Sequence, residues 1–491
     1  MLLPLEIPPG MFRSGTDLQS VGRWREGNLV RWRGGALQPV GGWEIGAAEP
    51  MGNPPRGAHV WRANDASRYV AAGTADGLFV VNAARSVLDI TPADLVAGGV
   101  DAVVPTGYGR GAYGSGLYGG LALDTGTLDD AASWSLDNWG ENLVACSDAD
   151  GRLLEWNLVP TDEAAPISNS PIDCVGLVVT EERILMALGA DGNPRKVQWS
   201  DQEDNTAWSP SPTNQAGALE LTTRGRIMCA RRVRGQVLIL TDQDAHTATY
   251  QGPPFVYGFE RVGINCGVFS RMALATVDSG AYWMGPAGFF RYAGGAVEPV
   301  ACEVLDFVLG DINRTQASKI WSVEQGGFGE IWWFYPSSEG IEVDSYVALS
   351  VTEGHWSTGR LARTAGVPDG VFRFPIWFDA AGQAYDHEFG ANLHGGVAFV
   401  RSGPVQLGIG DRVLSAVRLL PDERTQGETI ATFTTRFHPN NVARTYGPYP
   451  MAAPTSVRFT GRQVEVQITG APMTAWRVGI PRLEVRAGGA R

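Results

Sequence analysis

The chain has 491 residues (52.6 kDa), 44% of them hydrophobic, with 16 Trp, 63 Gly and 30 Pro. So much apolar bulk excludes a disordered chain, and the length allows two or three domains rich in turns. A net charge of −13 excludes ordinary nucleic-acid binding through basic patches, though not a surface past which DNA slides under like-charge repulsion.

The N-terminal MLLPLEIPPGMFRSG lacks the basic start and long apolar stretch of a secretory signal, so export by that route is not expected. No apolar run approaches the roughly 20 residues of a membrane span, and no membrane partner is expected. Residues 1–50 are read as an N-terminal arm or hairpin. In it Arg23, Arg25, Arg31 and Arg33 interleave with Trp24 and Trp32, a texture that fits either a nucleic-acid platform or a strand pair. One hairpin turning at Gly34-Gly35, with arginines wet or stacked on tryptophan, is the simpler reading.

From about residue 51 the chain becomes a series of short β-prone runs separated by turn residues. Val175 to Val179, Ile184 to Leu188 and Lys196 to Trp199 make the clearest meander. Taking Val70, Leu143, Leu185, Leu238, Tyr282, Trp332 and Trp377 as strand centres, the gaps are 73, 42, 53, 44, 50 and 45 residues. Apart from the first, that period predicts four-stranded propeller blades, six or seven of them, over residues 51–400. The long first gap holds PTGYGRGAYGSGLYGG, residues 105–120, with Tyr108, Tyr113 and Tyr118 at five-residue intervals among glycines. It has too little bulk for a core and is read as a loop or arm. Beyond about residue 401 the strands lengthen and alternate strictly, as in Arg462 to Ile468, predicting a C-terminal β-sandwich over 401–491. The expected fold is therefore all-β.

No motif for catalysis stands out. Five widely spaced cysteines, Cys146, Cys174, Cys229, Cys266 and Cys302, read as buried free thiols. Asp386-His387-Glu388, with His394 nearby, reads as a hydrogen-bonded turn in preference to a metal site. Ser147-Asp148-Ala149-Asp150-Gly151 has the flavour of a sialidase aspartate box but the wrong spacing. Walker, GxSxG and HExxH patterns are absent. Neither an enzyme nor a cofactor is expected.

Gly22–Trp43, VQWSDQEDNTAWSP (Val197–Pro210), YGRGAYGSGLYG (Tyr108–Gly119) and AYDHEFG with LGIGDRVLSAVRLLPDE resemble the phage tail nozzle, or tail tubular protein B, group of propeller proteins. That resemblance implies a structural virion protein, made in the host cytoplasm. It would form a homo-oligomeric, hexameric ring in the tail, below the portal and its head–tail adaptor and among other tail proteins. Viral DNA would pass through the ring without being specifically bound. Arg23, Trp24, Arg31, Trp32, Arg33, Tyr108, Tyr113 and Tyr118 are the expected subunit or adaptor contacts, ordering on assembly. Two other readings stay open: a receptor- or carbohydrate-binding tail protein, and a propeller glycoside hydrolase or lyase, in which the aromatic residues would stack on sugars.

Overall fold

The computed structural model describes residues 1–16, 19–47, 49–104, 128–407, 413–437 and 441–487. It is 47% strand and 4% helix. Seven four-stranded antiparallel sheets follow one another between Ala58 and His387. Their innermost strands are Ala58–Arg62, Trp134–Trp139, Gly176–Val179, Ile227–Val233, Leu274–Val277, Trp321–Gln325 and Ala365–Val367. Each packs on the next and the seventh packs on the first, which closes a seven-bladed propeller.

The period seen in the sequence belongs to the second strand of each blade. All seven centres fall there, in Arg68–Gly73, Asn142–Ser147, Leu185–Leu188, Gln236–Thr241, Gly280–Gly285, Glu330–Tyr335 and Ile376–Phe378. These strands are sandwiched between neighbouring blades and buried on both faces, so they read as continuous apolar runs.

Blade seven supplies only three strands of its own. Its fourth is Trp43–Ile45, paired antiparallel with Ala384–His387 in the register His387 opposite Trp43. The segment before it is woven into the C-terminal sandwich. One sheet there has the order Leu2–Pro4, Arg482–Ala487, Leu414–Leu420, Thr455–Gly461; the other runs Trp24–Asn28, Phe399–Ser402, Gln463–Gly470, Thr429–Arg436, Arg444–Pro450. Phe433, Val457, Phe459, Val466, Ile468 and Leu483 are buried between them. Val30–Arg33 and Ala36–Pro39 form the expected hairpin. The N-terminal arm is thus an intramolecular strap with strands in both domains, ordered within one chain rather than only on assembly. Edge strands left unpaired would be exposed to solvent and to other chains, and the strap covers three of them, one in each sandwich sheet and one in blade seven.

Removing residues 1–45 should uncover the outer edge of blade seven and one sandwich strand in each sheet. Limited proteolysis of the truncated chain is expected to cut within residues 365–387, which stay protected in the full chain. Equal protection in both would show that the strap does not hold the ring closed.

Candidate functional site

The strap meets the propeller at a buried ionic cluster. The Arg31 guanidinium, 2% exposed, donates to both oxygens of Glu388 at 2.9 and 2.7 Å and lies 3.1 Å from Glu330 Oε2. It also stacks 3.7 Å from the Phe328 ring centroid. Glu388 takes the Gly41 amide as well, and Glu330 takes the Trp332 indole N–H at 2.9 Å. Burial works against the Arg31 charge, yet Glu388 and Glu330 push its pKa up; burial pushes the Glu330 carboxyl up against the pull of Arg31. Trp24 and Trp32 are buried beside it, 6.4 Å apart. A cavity of about 180 Å³ lies here, lined by Arg31, Arg33, Glu330 and Glu353 among others.

Of the expected contact residues, then, Trp24, Arg31 and Trp32 are occupied inside one chain and have no surface to offer a neighbour. Arg23 is half-exposed and pairs with Glu303, and Arg33 is exposed. Tyr108, Tyr113 and Tyr118 lie outside the described residues.

Three consecutive side chains of blade seven each meet a different arginine. Asp386 takes Arg85 at 2.8 Å, Glu388 takes Arg31, and His387 Nε2 accepts from Arg363 Nε at 2.8 Å. The cluster is hydrogen-bonded as expected, but it sits at a strand end rather than in a turn. Among the described residues no three His, Cys, Asp or Glu side chains are grouped as metal ligands. The local Asp-Ala-Asp-Gly motif is structural in the same way: Asp148 binds Ser133 and Arg271, and Asp150 binds Arg152.

Arg271 also marks how the central channel is crossed. It comes from the linker between blades four and five, touches the Met228 carbonyl of blade four at 3.2 Å, and reaches Asp148 of blade two at 3.0 Å. A side chain making that span lies over the channel mouth. Its neighbour Ser270 binds the Ile320 carbonyl, and Met272 packs against the core shared by blades seven and one. On the same face, residues 101–102 and Arg56 are held by the loops of blade six. Gln316 bonds both backbone groups of Ala102, buried Lys319 holds Asp101, and Arg56 holds Glu342 through two bonds. Exposed Val100, Val103, Val104 and Ile341 surround this anchorage.

At the other mouth His59 faces Asn138 at 3.2 Å and Asp137 faces Arg232 at 3.3 Å. Glu324 has its carboxyl pushed up by burial, then by Asp278 and Asp369; no sequence signal marked it, because the three carboxylates come from three different blades. The thiols are poor nucleophile candidates. All five are free, and burial pushes Cys229 and Cys266 up to about 11 and Cys174 and Cys302 up to about 12.

No family model matches the chain, and no curated protein matches it. Among solved structures it is similar to virginiamycin B lyase from Staphylococcus aureus, at 8% identity over 69% of this chain and 97% of that one, with a TM-score of 0.43. It is also similar to PorZ, a type-IX secretion component of Porphyromonas gingivalis, at 9% identity over 77% of this chain and 44% of that one, TM-score 0.37. The N-terminal domain of Nup159 is 9% identical over 70% of this chain and 95% of that one, TM-score 0.36.

Two predictions follow from the buried charges. Arg31→Met leaves two carboxylates facing each other without a cation, and should cost about 3–5 kcal/mol in denaturant unfolding; a loss below about 1 kcal/mol would show that the cluster does not clamp the strap. The second concerns pH. Burial pushes His387 well below the ordinary histidine range, and Arg363 adds to it; His59, His246 and His355 are pushed down by burial too. Below pH about 6.5 the unfolded chain therefore binds more protons than the folded one. This contribution to stability is complete above that pH and is lost as pH falls, by up to about 1.4 kcal/mol per unit for each histidine. Denaturation midpoints should drop between pH 6.5 and 5, and less so in His387→Gln.

Proposed function

We propose that this chain is a non-enzymatic structural subunit of a bacteriophage tail, assembling with copies of itself into a hexameric ring beneath the portal and adaptor. The observation that carries the reading is the strap: one segment closes the propeller, completes both sheets of the sandwich and is locked by a buried arginine. That construction suits a part that bears load between neighbours. The resemblance of Gly22–Trp43 and Val197–Pro210 to tail nozzle proteins supplies the phage context.

Each propeller channel is crossed by Arg271 and Met272, so DNA would pass between subunits and not through the blades. A net charge of −13 suits a lumen that repels phosphate. For the contact between copies we assign the face bearing Val100, Val103, Val104 and Ile341, since exposed apolar groups clustered around a rigid anchorage mark interaction surfaces. The enzymatic reading has one specific observation in its favour. Glu324, raised and flanked by Asp278 and Asp369, is where a general acid for glycoside cleavage would sit.

Light scattering and electron microscopy of the purified chain test the assembly. Rings are expected, and Val103→Asp with Ile341→Asp should dissolve them into folded monomers. A monomer at every concentration would overturn the reading, as would release of reducing sugar from a polysaccharide that Glu324→Gln abolishes.

A further inference from the structure

The two sheets of the sandwich diverge between the edge strands Arg444–Pro450 and Thr455–Gly461, and an open cleft of about 450 Å³ lies in that seam. Its floor is aromatic. Phe459 is buried and rests on Phe433 at 4.9 Å, and the Tyr446 ring stands 5.7 Å from it. Phe437, 36% exposed, forms a wall. The Ser415 and Thr460 hydroxyls, 2.9 Å apart, add hydrogen-bonding groups at the opening. Arg444 and Arg458 stand on the rim, both exposed.

These two arginines differ from their neighbours. Arg418 pairs with Glu484 and Arg436 with Glu465 on the same domain, whereas Arg444 and Arg458 have no ion pair among the described residues. Charge on an edge strand does protect against strand addition. Pro448 and Pro450, which have no N–H to offer, already do so on one of the two strands. Protection also does not explain why the cleft between the sheets is left open over aromatic rings.

We propose that this seam binds a carboxylate-bearing sugar at the end of a glycan. Aromatic rings take the C–H face of a pyranose, hydroxyls and Tyr446 meet its oxygens, and a guanidinium matches a carboxylate with two parallel hydrogen bonds. The cleft falls within the roughly 300–1,000 Å³ common for small-ligand sites. A single carboxylate suits two arginines set in a chain of net charge −13, whose field opposes the approach of a polyanion such as a nucleic-acid strand. The chemistry of the cleft does not depend on the tail assignment: a cytosolic or a virion protein could carry it.

The test is calorimetric titration of the full chain with 3′-sialyllactose and with digalacturonate, beside lactose and a six-nucleotide oligothymidylate. Saturable binding of at least one acidic sugar is expected, with lactose and the oligonucleotide weaker. Arg458→Gln and Arg444→Gln should each weaken the acidic sugar about tenfold or more, Arg458→Lys should weaken it less, and none should alter the melting curve, because both side chains are exposed. Failure of both acidic sugars to bind saturably would overturn the proposal. So would binding indifferent to both arginine variants, or tighter binding of the oligonucleotide.

Discussion

Glu388 accepts from Arg31 and from the Gly41 amide, and the closure of the ring depends on that carboxylate. Two residues earlier Asp386 anchors Arg85 of blade one; between them His387 accepts from Arg363 and stacks between Trp377 at 4.1 Å and Trp43 at 5.3 Å. Trp377 lies on a strand native to blade seven and Trp43 on the borrowed one. Apolar stacking alone is non-directional and would tolerate a slipped strand, whereas a bidentate arginine with a second carboxylate behind it fixes one register. The cost is a group of ions taken out of water, offset where the two carboxylates meet the Arg31 terminal nitrogens and the Gly41 and Trp332 N–H groups.

The neutral histidines belong to the same economy of charge. His387 cannot take a proton while Arg363 donates to its Nε2 at 2.8 Å, because two cations would then share one hydrogen-bond distance in a buried site. Among the described residues Arg363 has no carboxylate at contact distance; burial brings its pKa down to about 10, and the Tyr385 ring covers it at 4.4 Å. Cation–π and imidazole contacts therefore replace an ion pair here. The downward shift of His387 is accounted for by its burial and by Arg363 beside it.

The blades were legible because burial on both faces writes itself into a strand as an unbroken apolar run, as in Glu330–Tyr335. The sandwich strands were legible through alternation, as in Gln463–Gly470. Other elements leave no such mark. Arg444–Pro450 is an exposed edge strand with two prolines, and Leu2–Pro4 and Trp43–Ile45 are three residues long. Arg31 looked exposed because a charge on a short alternating strand usually is; its partners Glu330 and Glu388 are about three hundred residues or more away, and no local pattern reports a contact at that separation. The acidic residues around His387 read locally as a hydrogen-bonded turn, and nothing in their spacing names the three arginines that meet them.

A boundary visible in sequence is not a boundary in stability. The change of strand texture near residue 401 divides propeller from sandwich, yet Trp24–Asn28 pairs with Phe399–Ser402 in the sandwich, and Val30–Arg33 follows at once against blades six and seven. Leu29, between them, donates its amide to the Tyr346 hydroxyl of blade six at 3.0 Å. One buried cluster runs from Val466 and Phe459 of the sandwich through Trp24 and Trp32 to Trp333 and Trp356 of blade six. Pulling the sandwich away would strip the strand on which the hairpin and the Arg31 clamp are mounted, and with them the fourth strand of blade seven. The two domains are therefore expected to unfold as one cooperative unit, a single transition in denaturant, because the strap ties the sandwich to the closure of the ring.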